Sequence, residues 1–181
     1  MKAALEGAAV EDVSGVESFE LFVRCHQSTV RALVVALYGG RDPDDIIQET
    51  FLRAQKAWPS LTGHDRPELW VRRVAMNLAV SRLRRWRSET KALVRLAGRR
   101  EFNVVVLSDE SAAVWAEVRL LPSRQAQVIA LRYLEDLSVS EIAGTLGIAE
   151  GTVRSTLHQA RVTLGHRLTP GVEVPVEEDL R

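Results

Sequence analysis

Cysteine is almost absent: the 181 residues include only Cys25. One thiol can neither close an internal disulfide nor build a thiolate metal cage. Its place within an apolar helical pattern makes Cys25 an expected core residue. No apolar run reaches the roughly 18 residues that a membrane span requires, so no membrane insertion is expected. The opening stretch MKAALEGAAVEDVSGVE is acidic and lacks a long apolar segment, which argues against a secretory leader. The four histidines, His26, His64, His158 and His166, are scattered, and none has metal-ligand spacing with another histidine or an acid. No catalytic constellation can be assembled. The expectation is a cytoplasmic protein that is not an enzyme and uses no cofactor, metal or small-molecule substrate.

Net charge is also missing, with 24 basic and 24 acidic residues, but the balance conceals segregation. Residues 71–100 hold ten cations, Arg72, Arg73, Arg82, Arg84, Arg85, Arg87, Lys91, Arg95, Arg99 and Arg100, against one acid, Glu89. Met1–Glu20 carries five acids against Lys2, and Pro170–Arg181 carries four against Arg181. A basic middle between acidic ends points to a polyanionic partner.

Apolar spacing is helical almost throughout. Ser14-x-x-Glu17 has the form of a capping box, after which Phe19, Phe22, Val23, Val30, Leu33, Val34 and Leu37 recur at helical intervals until Gly39-Gly40. Asp42-Pro43 opens a second helix, with Ile46, Ile47, Phe51, Ala54 and Trp58 on its buried side and Pro59 at its end. SLTGHDR is a polar loop, and Pro67 opens a third helix reaching about residue 87. Periodicity fades from 88 to 110, where FNVVVLSDE could pair as a strand but has no partner, so it reads as linker. Helical patterns return at 111–120, 123–134, 139–146 and 149–167. The fold class is all-α: two small bundles joined by a flexible linker, the second a helix-turn-helix domain. The divisions are a disordered segment 1–16, a bundle 17–88, a linker 89–110, a bundle 111–168 and an acidic tail 169–181.

In the second bundle Ser138-x-x-Glu141 again has capping-box form, Gly147 allows a tight turn, and Val153, Leu157, Ala160 and Leu164 face inward. Thr152, Arg154, Ser155, His158, Gln159 and Arg161 are left outward, as a recognition helix in a major groove roughly 12 Å wide requires. In the third helix Val71, Val74, Ala75, Leu78 and Trp86 turn inward, while Trp70, Arg73, Asn77, Ser81 and Arg84 form an opposite stripe. Such a stripe suits nucleic-acid backbone and an unstacked base; for Trp70 a helix-junction role stands equally open. Asp44, Asp45, Gln48 and Glu49 give the second helix an acidic front, partly explained by the macrodipole and suited to a basic protein surface.

Together these residues resemble a bacterial extracytoplasmic-function (ECF) sigma factor with regions 2 and 4 only. DPDDIIQETFLRAQKAW is similar to region 2.1–2.2, WVRRVAMNLAVSRLRR to region 2.4, and LPSRQAQVIALRYLEDLSVSEIAGTLGIAEGTVRSTLHQAR to region 4. The resemblance spans roughly residues 18–167. It implies that residues 17–88 bind core RNA polymerase and the −10 element, and that residues 111–168 bind the −35 element. Asp44, Asp45, Gln48, Glu49 and Phe51 would dock on the polymerase clamp helices, and region 4 would meet the flap. His64, Trp70, Arg72, Arg73, Asn77, Ser81 and Arg84 would hold single-stranded −10 DNA, with loop 60–66 capturing a flipped base. Thr152, Arg154, Ser155, His158, Gln159 and Arg161 would read duplex −35 DNA. An anti-sigma factor is the further partner implied. Ala149 stands at the cap position where family members often carry serine. Thr156 and Gln159 replace frequent arginines, which implies fewer phosphate contacts.

Two other readings compete. A stand-alone helix-turn-helix repressor or activator would bind its operator tightly without polymerase. A strand-transfer enzyme could use Ser81 as nucleophile, but the α/β scaffold it needs is not legible.

Overall fold

The computed structural model describes the backbone of residues 3–39, 42–94 and 109–168, and the side chains of 18–39, 42–90 and 111–168. Among the described residues seven α-helices follow in order: α1 (Ala3–Tyr38), α2 (Asp44–Leu61), α3 (Pro67–Val94), α4 (Asp109–Leu120), α5 (Ser123–Tyr133), α6 (Val139–Leu146) and α7 (Glu150–Leu168). No strand occurs among the described residues. Of the stretch FNVVVLSDE only Asp109 and Glu110 lie within them, at the start of α4; the tail 169–181 lies outside them.

Helices α1, α2 and α3 pack on one another, and α4 to α7 form a second group in which α7 meets α4, α5 and α6. The apolar spacing of α1 delivers Val30, Leu33, Val34 and Leu37 to full burial, each at most 1% exposed. Ile46 and Ala54 reach the same core from α2, and Val71, Ala75, Met76 and Ala79 from α3. At the outer end of this bundle Phe19 and Phe22 lie 5.1 and 4.9 Å from Trp58, pinning α1 to α2. Val74 and Leu78, expected inward, are only half-buried, while Met76, Ala79 and Leu83 turn further in. The two bundles also touch, through α1 with α4 and α5 and through α3 with α6. Their buried apolar residues merge into one cluster.

Several local expectations are corrected. The backbone is helical from Ala3, so residues 3–16 are not a segment without structure, and Ser14 lies inside α1 rather than capping it. Ala3, Ala4, Leu5, Glu6, Ala8 and Ala9 are strong helix formers, which outweigh Gly7. Helix α2 runs through Pro59 to Leu61, because the last turn is closed by Thr62 N–H donating to the Trp58 carbonyl at 3.0 Å. Helix α3 continues to Val94. Cys25 is exposed rather than in the core, since it lies on the side of α1 away from the Val30–Leu33–Leu37 face.

Helix α6 begins with a complete capping box. Ser138 N–H donates to Glu141 Oε2 at 2.9 Å, and Glu141 N–H returns to Ser138 Oγ at 3.3 Å. It ends on Gly147 at φ +65°, a left-handed conformation that costs an L side chain roughly 1–2 kcal/mol. The backbone N–H of Ser138, then the Arg66 guanidinium and the Ser138 hydroxyl, hold the Glu141 carboxyl at about 2, below the usual 4.5. A depressed carboxyl stabilises the fold above its unfolded value and loses that contribution as pH falls from about 4.5 toward 2. Wild type and Glu141→Gln should therefore differ in thermal midpoint at pH 6 and converge on acidification. Parallel midpoints from pH 6 to pH 2.5 would contradict the assignment.

Candidate nucleic-acid interface

On α2 the acids expected to dock on protein are displayed. Asp44, Asp45 and Gln48 are exposed and Glu49 half-exposed. Asp44 pairs with Arg31, Glu49 with Arg53 Nε at 2.8 Å, and Asp45 stands 4.0 Å from Arg82. Each cation is itself solvent-facing, and such pairs are worth about 0–1 kcal/mol, so the acids stay available to a partner. Phe51 is half-buried against the core and contributes mainly packing. Leu52, unremarked in the sequence, is 45% exposed. Positions 45, 48, 49 and 52 follow the i, i+3, i+4, i+7 rule, which places an apolar anchor beside the carboxylates; that spacing was the signal available.

On α3, Arg73, Asn77, Ser81 and Arg84 are exposed along one stripe, and Trp70 is half-buried against the core. His64 is exposed in the turn that leads into the helix. Arg72 lies beside the stripe, its side chain only 14% exposed, with Nε 2.9 Å from Glu135 Oε2. Glu135 sits in the α5–α6 loop, which is folded by Asp136 at φ +48° and by the Leu137 N–H on the Leu131 carbonyl. Burial raises the Glu135 carboxyl, and Arg72 offsets only part of that rise. Further along α3, Arg87 Nη1 donates to the Arg119 carbonyl at 2.7 Å, and burial lowers its guanidinium.

On α7 the expected inward set Val153, Leu157, Ala160 and Leu164 is buried. Thr152, Arg154, Ser155, His158 and Gln159 are exposed along the helix that follows the Gly147 turn. Arg154 reaches back to Glu150 at 3.0 Å, a solvated pair that a phosphate or a guanine edge can replace. Arg161 donates to the Tyr133 hydroxyl at 2.8 Å and lies 5.8 Å from its ring centroid. Thr156 is a correction: it is 8% exposed, packed inward three residues after Val153, so it is not a phosphate-contact position that has lost its cation. Ala149 offers no side-chain acceptor, and its carbonyl takes the N–H groups of Thr152 and Val153 as α7 begins.

Among the described residues no group of three or more His, Cys, Asp or Glu could hold a metal ion, and no helix is long and apolar enough to cross a membrane. The described surfaces present an acidic stripe with an apolar centre on α2, a cationic stripe on the long helix α3, and a helix-turn-helix formed by α6 and α7.

Comparison with known proteins assigns both halves. The chain matches the family model for sigma-70 region 2 over residues 22–89 and that for sigma-70 region 4 over residues 111–164. It is 26% identical over 167 residues to the ECF sigma factor SigW of Bacillus subtilis strain 168, covering 84% of this chain and 89% of SigW. It is 28% identical over 169 residues to the ECF sigma-E factor of Escherichia coli K12, covering 85% and 88%. In fold it is similar to the sigma factor RpoE crystallised with the anti-sigma factor NepR from Bartonella quintana, with a TM-score of 0.64 at 20% identity, over 86% of this chain and 99% of that one. It is also similar to CnrH in complex with the cytosolic domain of CnrY, with a TM-score of 0.59 at 22% identity, over 86% and 90%. With regions 2 and 4 in that order and relatives matched over most of their length, the chain belongs to the ECF family of RNA polymerase sigma factors.

Proposed function

We propose that this chain binds core RNA polymerase and directs it to promoters by a two-point grip. Asp45, Gln48, Glu49 and Leu52 on α2 dock on a basic, partly apolar polymerase surface, with Asp44 at the stripe's edge. Trp70, Arg72, Arg73, Asn77, Ser81 and Arg84, with His64 in the preceding turn, hold the opened −10 strand. Thr152, Arg154, Ser155, His158, Gln159 and Arg161 read the −35 duplex and its phosphates. The observation that carries the reading is the coexistence of three distinct recognition surfaces on one helical chain, in the order region 2 then region 4.

The division of labour follows from the groups present. Arg154 can pair with guanine and Gln159 with adenine in an intact major groove. Unstacking a base costs a few kcal/mol, which stacking and phosphate contacts along α3 offset. Bond-making belongs to the polymerase, in the cytoplasm where it works. An anti-sigma factor is a further partner, supported by a structural neighbour solved with one.

Arg73→Ala combined with Asn77→Ala is expected to leave core binding unchanged and to reduce promoter opening by about 10-fold or more, since charged and bidentate contacts are worth roughly 1–3 kcal/mol each. Permanganate footprinting of the holoenzyme on promoter DNA reads this directly. An unchanged bubble would remove these residues from the −10 surface. Promoter binding by the free chain, compared with binding after core is added, separates this role from that of a repressor, which needs no polymerase.

A further inference from the structure

A cavity of about 200 Å³ lies among α1, α3 and the start of α5, and two kinds of residue line it. Leu37, Leu83, Leu121 and Ala126 are buried and give it an apolar floor. Arg84, Arg87 and Arg119 bring three guanidinium groups to the same space. Arg84, Pro122 and Ser123 are exposed, so the cavity opens to solvent on their side. Val80, Leu83, Arg84 and Arg87 follow one another at i, i+3, i+4 and i+7, so a single face of α3 supplies both an apolar wall and two of the cations.

The fold holds these cations in place with neutral groups. Arg87 is half-buried and donates to the Arg119 carbonyl at 2.7 Å. Burial lowers its guanidinium, and no carboxylate offsets that shift. Arg119 Nη1 donates to the Ala36 carbonyl at 3.0 Å. Neither Arg84 nor Arg87 forms an ion pair with a carboxylate among the described residues. Helix α5 begins at the cavity wall with no acid in its first turn, and its macrodipole adds positive character there. A partly desolvated cation without a counter-charge is costly, and an oxyanion supplies what is missing.

We propose that this cavity binds a small amphipathic oxyanion, a carboxylate or phosphate head on an apolar body, with the head among Arg84, Arg87 and Arg119 and the body on Leu37, Leu83 and Ala126. An apolar cavity of roughly 150 Å³ takes up benzene, so the space here suits a ring or chain of about six to eight carbons. A bare inorganic anion would leave the apolar floor without contacts, and a neutral hydrocarbon would bury the guanidinium groups further without pairing them. Arg84 also belongs to the stripe assigned to the −10 strand, but Arg87 and Arg119 do not, so the site stands whether or not α3 holds DNA.

Calorimetric titration of the full chain with sodium octanoate and with hexyl phosphate tests this, with octanol as the body alone and inorganic phosphate as the head alone. At least one amphiphile is expected to bind once per chain with a Kd of about 1 mM or tighter, and about tenfold or more tightly than octanol or phosphate. Backbone amide shifts should centre on Ser123 and Ala126. Arg87→Gln should weaken binding about tenfold, because a charge-assisted hydrogen bond is lost. Ala126→Leu, which fills the cavity and keeps every arginine, should abolish it. Val80→Leu narrows the same space from α3 and replaces that variant if circular dichroism shows that it does not fold. Absence of binding by both amphiphiles, or binding that octanol or phosphate equals, overturns the site. So does wild-type affinity in Arg87→Gln or in a folded cavity-filling variant.

Discussion

Asp45→Arg combined with Glu49→Arg is expected to abolish binding to core RNA polymerase while leaving the fold intact. Both side chains point to solvent, Asp45 at 76% and Glu49 at 39% exposure, so neither substitution opens a cavity. The folded chain loses the Glu49–Arg53 pair and a distant Asp45–Arg82 contact, together about 1 kcal/mol. It also loses an acid in the first turn of α2, worth about 0.3–1 kcal/mol. At the docking surface the change is larger, because two attractive charges become repulsive ones, and juxtaposed like charges cost several kcal/mol. At 1.4 kcal/mol per tenfold, a loss of at least about 100-fold in affinity follows. A pull-down with purified core measures it, with circular dichroism as the control for folding. Wild-type recovery of core by the double variant would count against α2 as the docking helix. Leu52→Ala should weaken binding in the same assay, with the charge pattern untouched.

Leu33→Ala is expected to have the largest effect on stability. Leu33 is fully buried in the C-terminal part of α1, within the cluster that includes Val71, Ala75 and Met76 of α3. Its truncation removes apolar burial and leaves a cavity, at a cost of about 2–5 kcal/mol. Native domains hold only about 5–15 kcal/mol in all. For a chain of this size each kcal/mol moves the midpoint by about 2–4 °C, so a fall of about 10 °C is the central expectation. Thermal unfolding followed by circular dichroism reads it, with Leu21→Ala, at a residue 63% exposed, as the near-neutral comparison. A Leu33→Ala midpoint within 1 °C of wild type would mean that α1 does not anchor the first bundle.

The periodic part of the fold was legible in the sequence. Val153, Leu157, Ala160 and Leu164 repeat at the helical interval, and burial follows it. Ser138 and Glu141 stand three residues apart before an apolar run, and the capping box forms with both of its hydrogen bonds. The outward residues of α7 and the acidic front of α2 could be picked out because solvent-facing positions are the complement of a periodic core. What was missed depends on neighbours that are distant in sequence, or on residue types with divided preferences. Thr156 is polar yet lies on the Val153 side of α7, where packing overrides its hydroxyl. Cys25 is apolar in character yet faces solvent, because its position on α1 is set by the residues around it. Ser14-x-x-Glu17 has the capping form without the role, since an alanine-rich segment extends the helix past it. The contacts between the bundles leave no mark at all: Arg72 and Glu135, or Asn77 and Gln127, share no spacing that would announce a partner.

The central claim, that this chain gives polymerase its promoter address, is tested most directly by run-off transcription with purified core RNA polymerase. The account predicts transcripts of defined start when chain, core and promoter DNA are combined, none when either protein is left out, and none with the Asp45/Glu49 variant. A chain that neither binds core nor redirects initiation, yet grips an operator tightly on its own, would contradict it.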